Sequence, residues 1–151
     1  MKYISATDLN GKLFVDTSAW ITIFLSTEKA HSQFGQLLKQ AVESKTLIYT
    51  SNDIIDETYT RLRYYVGWHM AKKFIDYIQK SILAKVVIQL WTDEQVQLDA
   101  IKTLEKYSDH NLSLTDATTS VLAKNVRITT ILTTDYKHFT TLDFRVLPQP
   151  K

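Results

Sequence analysis

Two acidic residues directly follow short apolar strings near opposite ends of the chain. Asp16 ends the string Leu13-Phe14-Val15-Asp16, and Asp135 ends the string Ile131-Leu132-Thr133-Thr134-Asp135. Each string has the apolar, β-branched composition of a buried strand, so its aspartate is expected at the carboxyl end of that strand. In an open α/β sheet, ligands bind outside the carboxyl ends of the strands. We therefore expect both carboxylates at one site, where a hard divalent cation would offset their mutual repulsion.

A third acid, Glu57, lies on the helix predicted after the second strand. That helix has a core-facing side at helical spacing, made of Ile54, Thr58, Leu62 and Tyr65. Glu57 lies at the edge of this face, whereas Asp56 points to solvent. The alternative for Glu57 is a surface role, paired with Arg61 four residues later.

A fourth acid, Asp116, lies in the first turn of a predicted helix that is rich in small residues. Small side chains would let this helix approach the sheet closely. Ser113-x-x-Asp116 also has the spacing of a capping box, so a capping role and a metal-binding role are both open. In the same way, Asp16 could cap the helix that follows it, and Asp135 could be a turn residue. Three hydroxyl residues lie beside these last two acids and could orient them: Thr17, Ser18 and Thr134.

The elements that must position these acids alternate along the chain. Strands are predicted at residues 12–15, 47–50, 86–90, 128–132 and 144–147. Helices are predicted at 18–25, 31–44, 53–66, 68–83, 93–107 and 114–124, with Gly67 ending the third and Thr92 capping the fifth. This alternation predicts an α/β fold, a three-layer α/β/α sandwich with a mostly parallel central sheet of about five strands. The last strand could lie at an edge.

Length and composition favour one globular domain. The chain has 151 residues, of which 44% are apolar and 23% are charged, and we predict a single domain over residues 1–151. The absence of cysteine excludes disulfides and thiolate metal sites. No long apolar segment predicts a membrane helix or a signal peptide, and we expect a cytoplasmic protein. The net charge of +2 is too small to indicate nucleic-acid binding by itself.

Four short strings, in order along nearly the whole chain, resemble the PIN-domain ribonucleases, most closely the VapC-type toxins of toxin–antitoxin pairs. The strings are Phe14–Ser18, Ile54–Thr58, Leu112–Ala117 and Leu132–Phe139. The resemblance implies that the catalytic and metal-binding quartet of the family is Asp16, Glu57, Asp116 and Asp135. The serine or threonine that the family places near its first acid falls on Thr17 or Ser18. The segment at residues 1–11 is longer than the family needs, and Asp109 is a further acid that we leave outside the quartet.

The resemblance also implies an activity, a cofactor and partners. The activity is metal-dependent endonucleolytic hydrolysis of RNA by the toxin of a type II toxin–antitoxin pair. An all-oxygen donor set selects Mg²⁺ or Mn²⁺, as one or two ions. Residues near the motif loops that could contact RNA are Arg61, Lys137 and His138. Four aromatic residues could stack on RNA bases, although core packing is the expectation for most of them: Tyr64, Tyr65, Trp68 and Tyr136.

The expected protein partners are a cognate antitoxin and a second copy of the chain. The antitoxin would lie in an apolar groove lined by Trp20, Ile23, Phe24, Phe34, Leu37 and Leu38, although these residues could equally be core. Three alternatives to a toxin stay open. One is a PIN-domain RNA-processing nuclease without an antitoxin. Another is a non-catalytic PIN fold that binds RNA. The third is a receiver-like Mg²⁺-binding module, which is disfavoured because no lysine follows the last strand.

Overall fold

A parallel five-stranded sheet forms the centre of the protein. The computed structural model describes residues 11–150, so the predicted N-terminal extension lies outside the described residues except for Gly11. The strands are β1 (Lys12–Val15), β2 (Leu47–Ser51), β3 (Val87–Leu90), β4 (Thr130–Leu132) and β5 (Arg145–Leu147). Their order is β3-β2-β1-β4-β5, and every pair is parallel. The predicted sheet is confirmed, with β5 at an edge.

Seven helices connect these strands in the described part of the chain. They are α1 (Thr17–Phe24), α2 (His31–Glu43), α3 (Asn52–Tyr65), α4 (Trp68–Leu83), α5 (Glu94–Lys106), α6 (Leu114–Asn125) and α7 (Tyr136–Thr141). The chain adds β2 and β3 on one side of β1 and then adds β4 and β5 on the other side. Because crossovers between parallel strands are right-handed, the helices before β3 and those after it lie on opposite faces of the sheet. The contacts agree: α1 packs on α2 and α3, and α3 on α4, whereas α6 packs on α5 and α7. The predicted α/β architecture is confirmed.

The core positions the sheet and the helices that carry the acids. Leu13, Phe14 and Val15 of β1 are fully buried, as expected for the middle strand of a parallel sheet covered on both faces. Helix α6 buries a run of small side chains, namely Ala117, Thr118, Thr119, Ser120 and Ala123. Small side chains permit a close approach to the layer beneath, so α6 carries its first turn, and Asp116 with it, towards the ends of the strands.

Two local features differ from the sequence-based expectations. The segment after Asp135 forms the short helix α7, where no helix was predicted, and the predicted Thr92 cap is wrong. Helix α5 is capped by Asp93, whose side chain accepts a hydrogen bond from the Val96 N–H at 2.9 Å. Thr92 instead donates its hydroxyl to Asp53 at 2.7 Å, which ties the start of α3 to the end of β3.

The expectation of core packing for the aromatic residues at the end of α3 is also wrong. Tyr64 and Tyr65 are 80% and 86% exposed, and Trp68 and Tyr136 are exposed as well. The buried face of α3 ends at Leu62, because Gly67 turns the chain with φ +128° directly after the helix. None of the helices within residues 11–150 is long and apolar enough to span a membrane.

Candidate active site

The acids meet where the strand order reverses, between β1 and β4. Asp16 directly follows β1, and Asp135 lies three residues after β4. This is the switch point at which open α/β sheets bind ligands. An open cavity of about 360 Å³ lies there. Its walls are formed by Asp16, Thr17, Ser18, Glu57, Arg61, Asn111, Ser113, Asp116, Thr134, Asp135 and His138. The four acids named from the sequence therefore line one cavity.

Asp16 is the most buried of these acids, at 7% exposure. Its backbone N–H donates to the Leu132 carbonyl at 3.0 Å, which fixes it to the end of β4. Its Oδ2 accepts hydrogen bonds from the hydroxyls of Thr133 at 2.8 Å and Ser18 at 3.2 Å. The pKa of Asp16 is raised from 3.8 to about 6, mainly by burial and also by the negative charge of Asp116, while the Thr133 hydrogen bond opposes the rise.

Asp116 is held by the capping box that the sequence predicted. Its backbone N–H donates to Ser113 Oγ at 3.0 Å, and its Oδ2 accepts from the Ser113 N–H at 3.1 Å. Burial raises the pKa of Asp116, the hydrogen bonds from Ser113 lower it, and the nearby Asp135 raises it. Capping fixes the orientation of this carboxylate at the cavity wall, so the capping role is confirmed and the metal-binding role stays a prediction.

Asp135 caps α7 and pairs with a histidine of the same helix. Its Oδ1 accepts from the His138 N–H at 3.1 Å, and its Oδ2 lies 2.7 Å from His138 Nδ1. The same Nδ1 lies 3.7 Å from Asp116 Oδ2. Asp116, Asp135 and His138 each offer one ligand atom, and all these atoms lie within 4.8 Å of one another.

Glu57 reaches the cavity from α3 while bound to Arg61. The Arg61 guanidinium lies 3.2 Å from Glu57 Oε1. This is the i, i+4 pair that was the alternative for Glu57, and the pair as a whole lines the cavity. Exposed pairs of this kind are weak, so a ligand can separate them at little cost.

Two residues near the acids, Thr133 and Asn111, were not named from the sequence, whereas Thr134 was named for its hydroxyl. Thr133, which is buried, contacts Asp16, whereas Thr134 is exposed and contributes its backbone N–H to Ser18 Oγ at 3.0 Å. Strand alternation could have identified Thr133, because successive residues point to opposite faces. Asn111 lies in a loop and carries no sequence signal. Lys137 is exposed and lies outside the lining of the cavity.

The donor set fits a divalent cation. The carboxylates of Asp116 and Asp135 lie with the His138 imidazole within 4.8 Å, and Asp16 lines the same cavity. Burial and the repulsion of a neighbouring carboxylate raise the pKa values of Asp16 and Asp116. Thr17 adds a buried hydroxyl that, within residues 11–150, lacks a hydrogen-bond partner. A bound cation would offset the repulsion and take up spare oxygen donors. Oxygen ligands favour Mg²⁺ or Mn²⁺.

A sequence model of the PIN domain family matches residues 13–144, which include all four acids. The chain belongs to the PIN domain family. No curated protein sequence matches it. Among solved structures, this PIN domain is similar to the VapC20 toxin of Mycobacterium tuberculosis, described as cleaving the sarcin–ricin loop. The identity is 24%, the TM-score is 0.73, and the match covers 85% of this chain and 94% of that chain.

Two further solved structures are similar in fold to this PIN domain. FitAcB of Neisseria gonorrhoeae is 18% identical with a TM-score of 0.65, and the match covers 89% of this chain and 95% of that chain. FitAB bound to an IR36 DNA fragment is 17% identical with a TM-score of 0.62, covering 89% and 92%. At these identities the likeness shows a shared fold.

Proposed function

We propose that the protein is a Mg²⁺- or Mn²⁺-dependent endoribonuclease. The observation that carries the proposal is the convergence of Asp16, Glu57, Asp116 and Asp135 on one open cavity at the switch point of the sheet. PIN domains are generally nucleases, and they typically use a divalent metal. The open shape of the cavity suits a polymeric substrate, because an RNA strand can bind there along its length without an end being threaded through the protein.

In this proposal three acids bind the ion and the fourth acts as a general base. Asp16, Asp116 and Asp135 would hold the ion, which when bound supplies Lewis-acid chemistry at the phosphodiester. Glu57 lies at the cavity wall, where it is paired with Arg61. It would accept a proton from the attacking water as the water oxygen bonds to phosphorus and the sugar oxygen leaves. Arg61, released from Glu57, would bind a phosphate oxygen of RNA.

Cleavage of a labelled single-stranded RNA by the purified protein tests the proposal. Activity should require Mg²⁺ or Mn²⁺, disappear with chelator and return when metal is added. Asp16→Asn and Asp116→Asn should each lose about a hundredfold or more of the activity. Asp109→Asn is the matched control because Asp109 is exposed and paired with His110, outside the cavity. Full activity of Asp16→Asn in the presence of metal would refute the assignment.

A second control separates the two acids at the middle of α3. Glu57 lines the cavity, whereas its neighbour Asp56 is exposed and lies outside it. Glu57→Gln should therefore slow cleavage strongly, while Asp56→Asn should leave it unchanged. Equal effects of the two substitutions would remove Glu57 from the mechanism.

We further propose that the nuclease is the toxin of a toxin–antitoxin pair, supported by its similarity in fold to VapC20 and the Fit proteins. The groove lining predicted for the antitoxin needs correction, because Trp20, Phe34, Leu37 and Leu38 are buried in the core. A more accessible groove of about 400 Å³ is lined by Ile21, Leu25, Glu28, Arg61, Leu62, Tyr65 and Val66. Arg61 lines this groove and the catalytic cavity alike, so a protein seated in the groove could reach the site.

Expression in a bacterial host tests the toxin role. The wild-type chain should arrest growth, the neighbouring reading frame should relieve the arrest when co-expressed, and Asp16→Asn should be harmless by itself. Arrest that no neighbouring frame relieves would favour an RNA-processing nuclease. A homodimer is a further proposal, which the mass of the purified protein in solution tests.

A further inference from the structure

His138 faces the carboxylates of the site. Its side chain is mostly buried, and its Nδ1 lies 2.7 Å from Asp135 Oδ2 and 3.7 Å from Asp116 Oδ2. Two donors bound to one Mg²⁺-like ion at about 2.1 Å are at most about 4.2 Å apart. Both distances fall below that limit, so they permit one ion to bind the imidazole together with either carboxylate.

Positioning Asp135 does not require the imidazole. Asp135 Oδ1 already accepts the backbone N–H of His138 at 3.1 Å, as the cap of α7. The Asp135 N–H donates to Thr133 Oγ1 at 3.0 Å, which fixes the residue from the other side. An ion could therefore replace the contact between His138 Nδ1 and Asp135 Oδ2, because the two backbone hydrogen bonds would still hold Asp135 in position.

Two other features favour a ligand at this point. Thr17 lines the same cavity, is 2% exposed, and its hydroxyl has no hydrogen-bond partner among residues 11–150. Asp135-x-x-His138 also repeats the i, i+3 spacing of carboxylate and histidine by which helices hold transition metals in carboxylate-bridged bundles. Four carboxylates line the cavity against the single guanidinium of Arg61, so this part of the described chain is short of positive charge.

We propose that His138 is a direct nitrogen ligand of the metal, together with Asp116 and Asp135. This inference rests on the proposed function for the existence of the metal site. It replaces the RNA contact predicted for His138. It also changes the expected metal selectivity, because imidazole favours transition ions over Mg²⁺. The site would then prefer Mn²⁺ or Co²⁺ to Mg²⁺, unlike a site built from carboxylates alone.

Pulsed electron paramagnetic resonance of the protein loaded with Mn²⁺ tests the proposal without any assay of activity. The wild-type protein should show the nuclear modulation of one directly bound nitrogen. His138→Gln should bind Mn²⁺ without that modulation. His69→Gln is the matched control, since His69 is exposed on α4 and lies outside the cavity, and it should behave as the wild type.

Calorimetric titration with Co²⁺ and with Mg²⁺ gives a second readout. His138→Gln should weaken Co²⁺ binding about tenfold and leave Mg²⁺ binding within about threefold of the wild type. Mn²⁺ that binds the wild type without nitrogen modulation overturns the inference and leaves the nuclease proposal intact. An equal loss for both ions would also overturn it, because it indicates a histidine that only orients Asp135. Failure of the wild type to bind Mn²⁺ at all would refute both proposals.

Discussion

Asp16 combines deep burial with hydrogen bonds that partly offset the cost of burying a charge. Thr133 is the centre of this small network: its hydroxyl donates to Asp16 Oδ2 at 2.8 Å and accepts the Asp135 N–H at 3.0 Å. Ser18 Oγ lies 3.0 Å from the same hydroxyl. One threonine thus links the acid after β1 to the acid after β4. The hydrogen bonds do not cancel the cost of burial, because the pKa of Asp16 still rises to about 6.

The raised pKa predicts a stability gain for Asp16→Asn in the metal-free protein. The folded state binds the Asp16 proton more tightly than the unfolded state does, whose pKa is 3.8. The free energy of unfolding of the wild type therefore falls between about pH 4 and pH 6 and stays lower above that range. The shift corresponds to about 3 kcal/mol at neutral pH. Asp16→Asn cannot ionise, so it should be more stable than the wild type at neutral pH by up to this amount.

Urea denaturation with chelator present measures this difference. The advantage of Asp16→Asn should disappear below about pH 4, where the wild-type carboxyl is protonated in both states. An advantage that is the same at acid and neutral pH would contradict the prediction. Asp109→Asn, at an exposed position, should show no such dependence.

Removing the Thr133 hydroxyl should weaken metal binding. Thr133→Val keeps the shape of the side chain, removes the donor to Asp16 and raises the pKa of that carboxyl further. Changes in groups that orient metal ligands cost about 10- to 100-fold in affinity. We expect a loss of that size for Mn²⁺, measured by calorimetry near neutral pH. Thr134→Val is the control and should bind within about threefold of the wild type, because the exposed Thr134 contacts Ser18 through its backbone. Equal losses would show that position 133 has no special role.

At the scale of elements, the capping box of helix α6 both stabilises the helix and orients a carboxylate at the cavity. Ser113 caps α6 and, by the same pair of hydrogen bonds, orients Asp116 towards the cavity. The sequence predicted the capping box from its spacing alone. It also predicted the close approach of α6, because small residues recur on that helix. It could not predict that the capped carboxylate faces the cavity, since that depends on where the helix meets the sheet.

Loss of this cap should affect stability and metal binding in parallel. Ser113→Ala should lower the free energy of unfolding by about 1 kcal/mol, and it should weaken Mn²⁺ binding because Asp116 loses its fixed orientation. Asp93→Ala is the matched control: Asp93 caps α5 in the same way, away from the cavity. It should cost a similar free energy in urea denaturation and leave Mn²⁺ affinity unchanged. Loss of affinity in Asp93→Ala would indicate that lower stability alone weakens the site.

Across the whole molecule, the sheet order decides which distant residues meet. Apolar strings and helical periodicity were enough to predict the strands, most helices and the convergence of acids at the strand ends. Short polar segments carried too little pattern, so α7 and the role of Thr133 were missed. The exposure of the aromatic residues at the end of α3 was also missed. Helical spacing places Tyr65 on the same face as Leu62, but it cannot show where the elements that cover this face end. Helix α7, the role of Thr133 and this exposure all depend on tertiary contacts.

Because the acids come from the β1–α1 junction, α3, α6 and the β4–α7 connection, a metal that joins them should stabilise the entire fold. A ligand that binds only the folded state, at a hundredfold excess over its Kd, adds about 2.7 kcal/mol. For a chain of this size that corresponds to a rise in Tm of about 5–10 °C. Thermal unfolding should show this rise with Mg²⁺ or Mn²⁺ and its reversal by chelator, at matched ionic strength. Asp109→Asn should show the full rise and Asp16→Asn little or none. A full rise in Asp16→Asn would mean that the stabilising ion binds elsewhere on the protein.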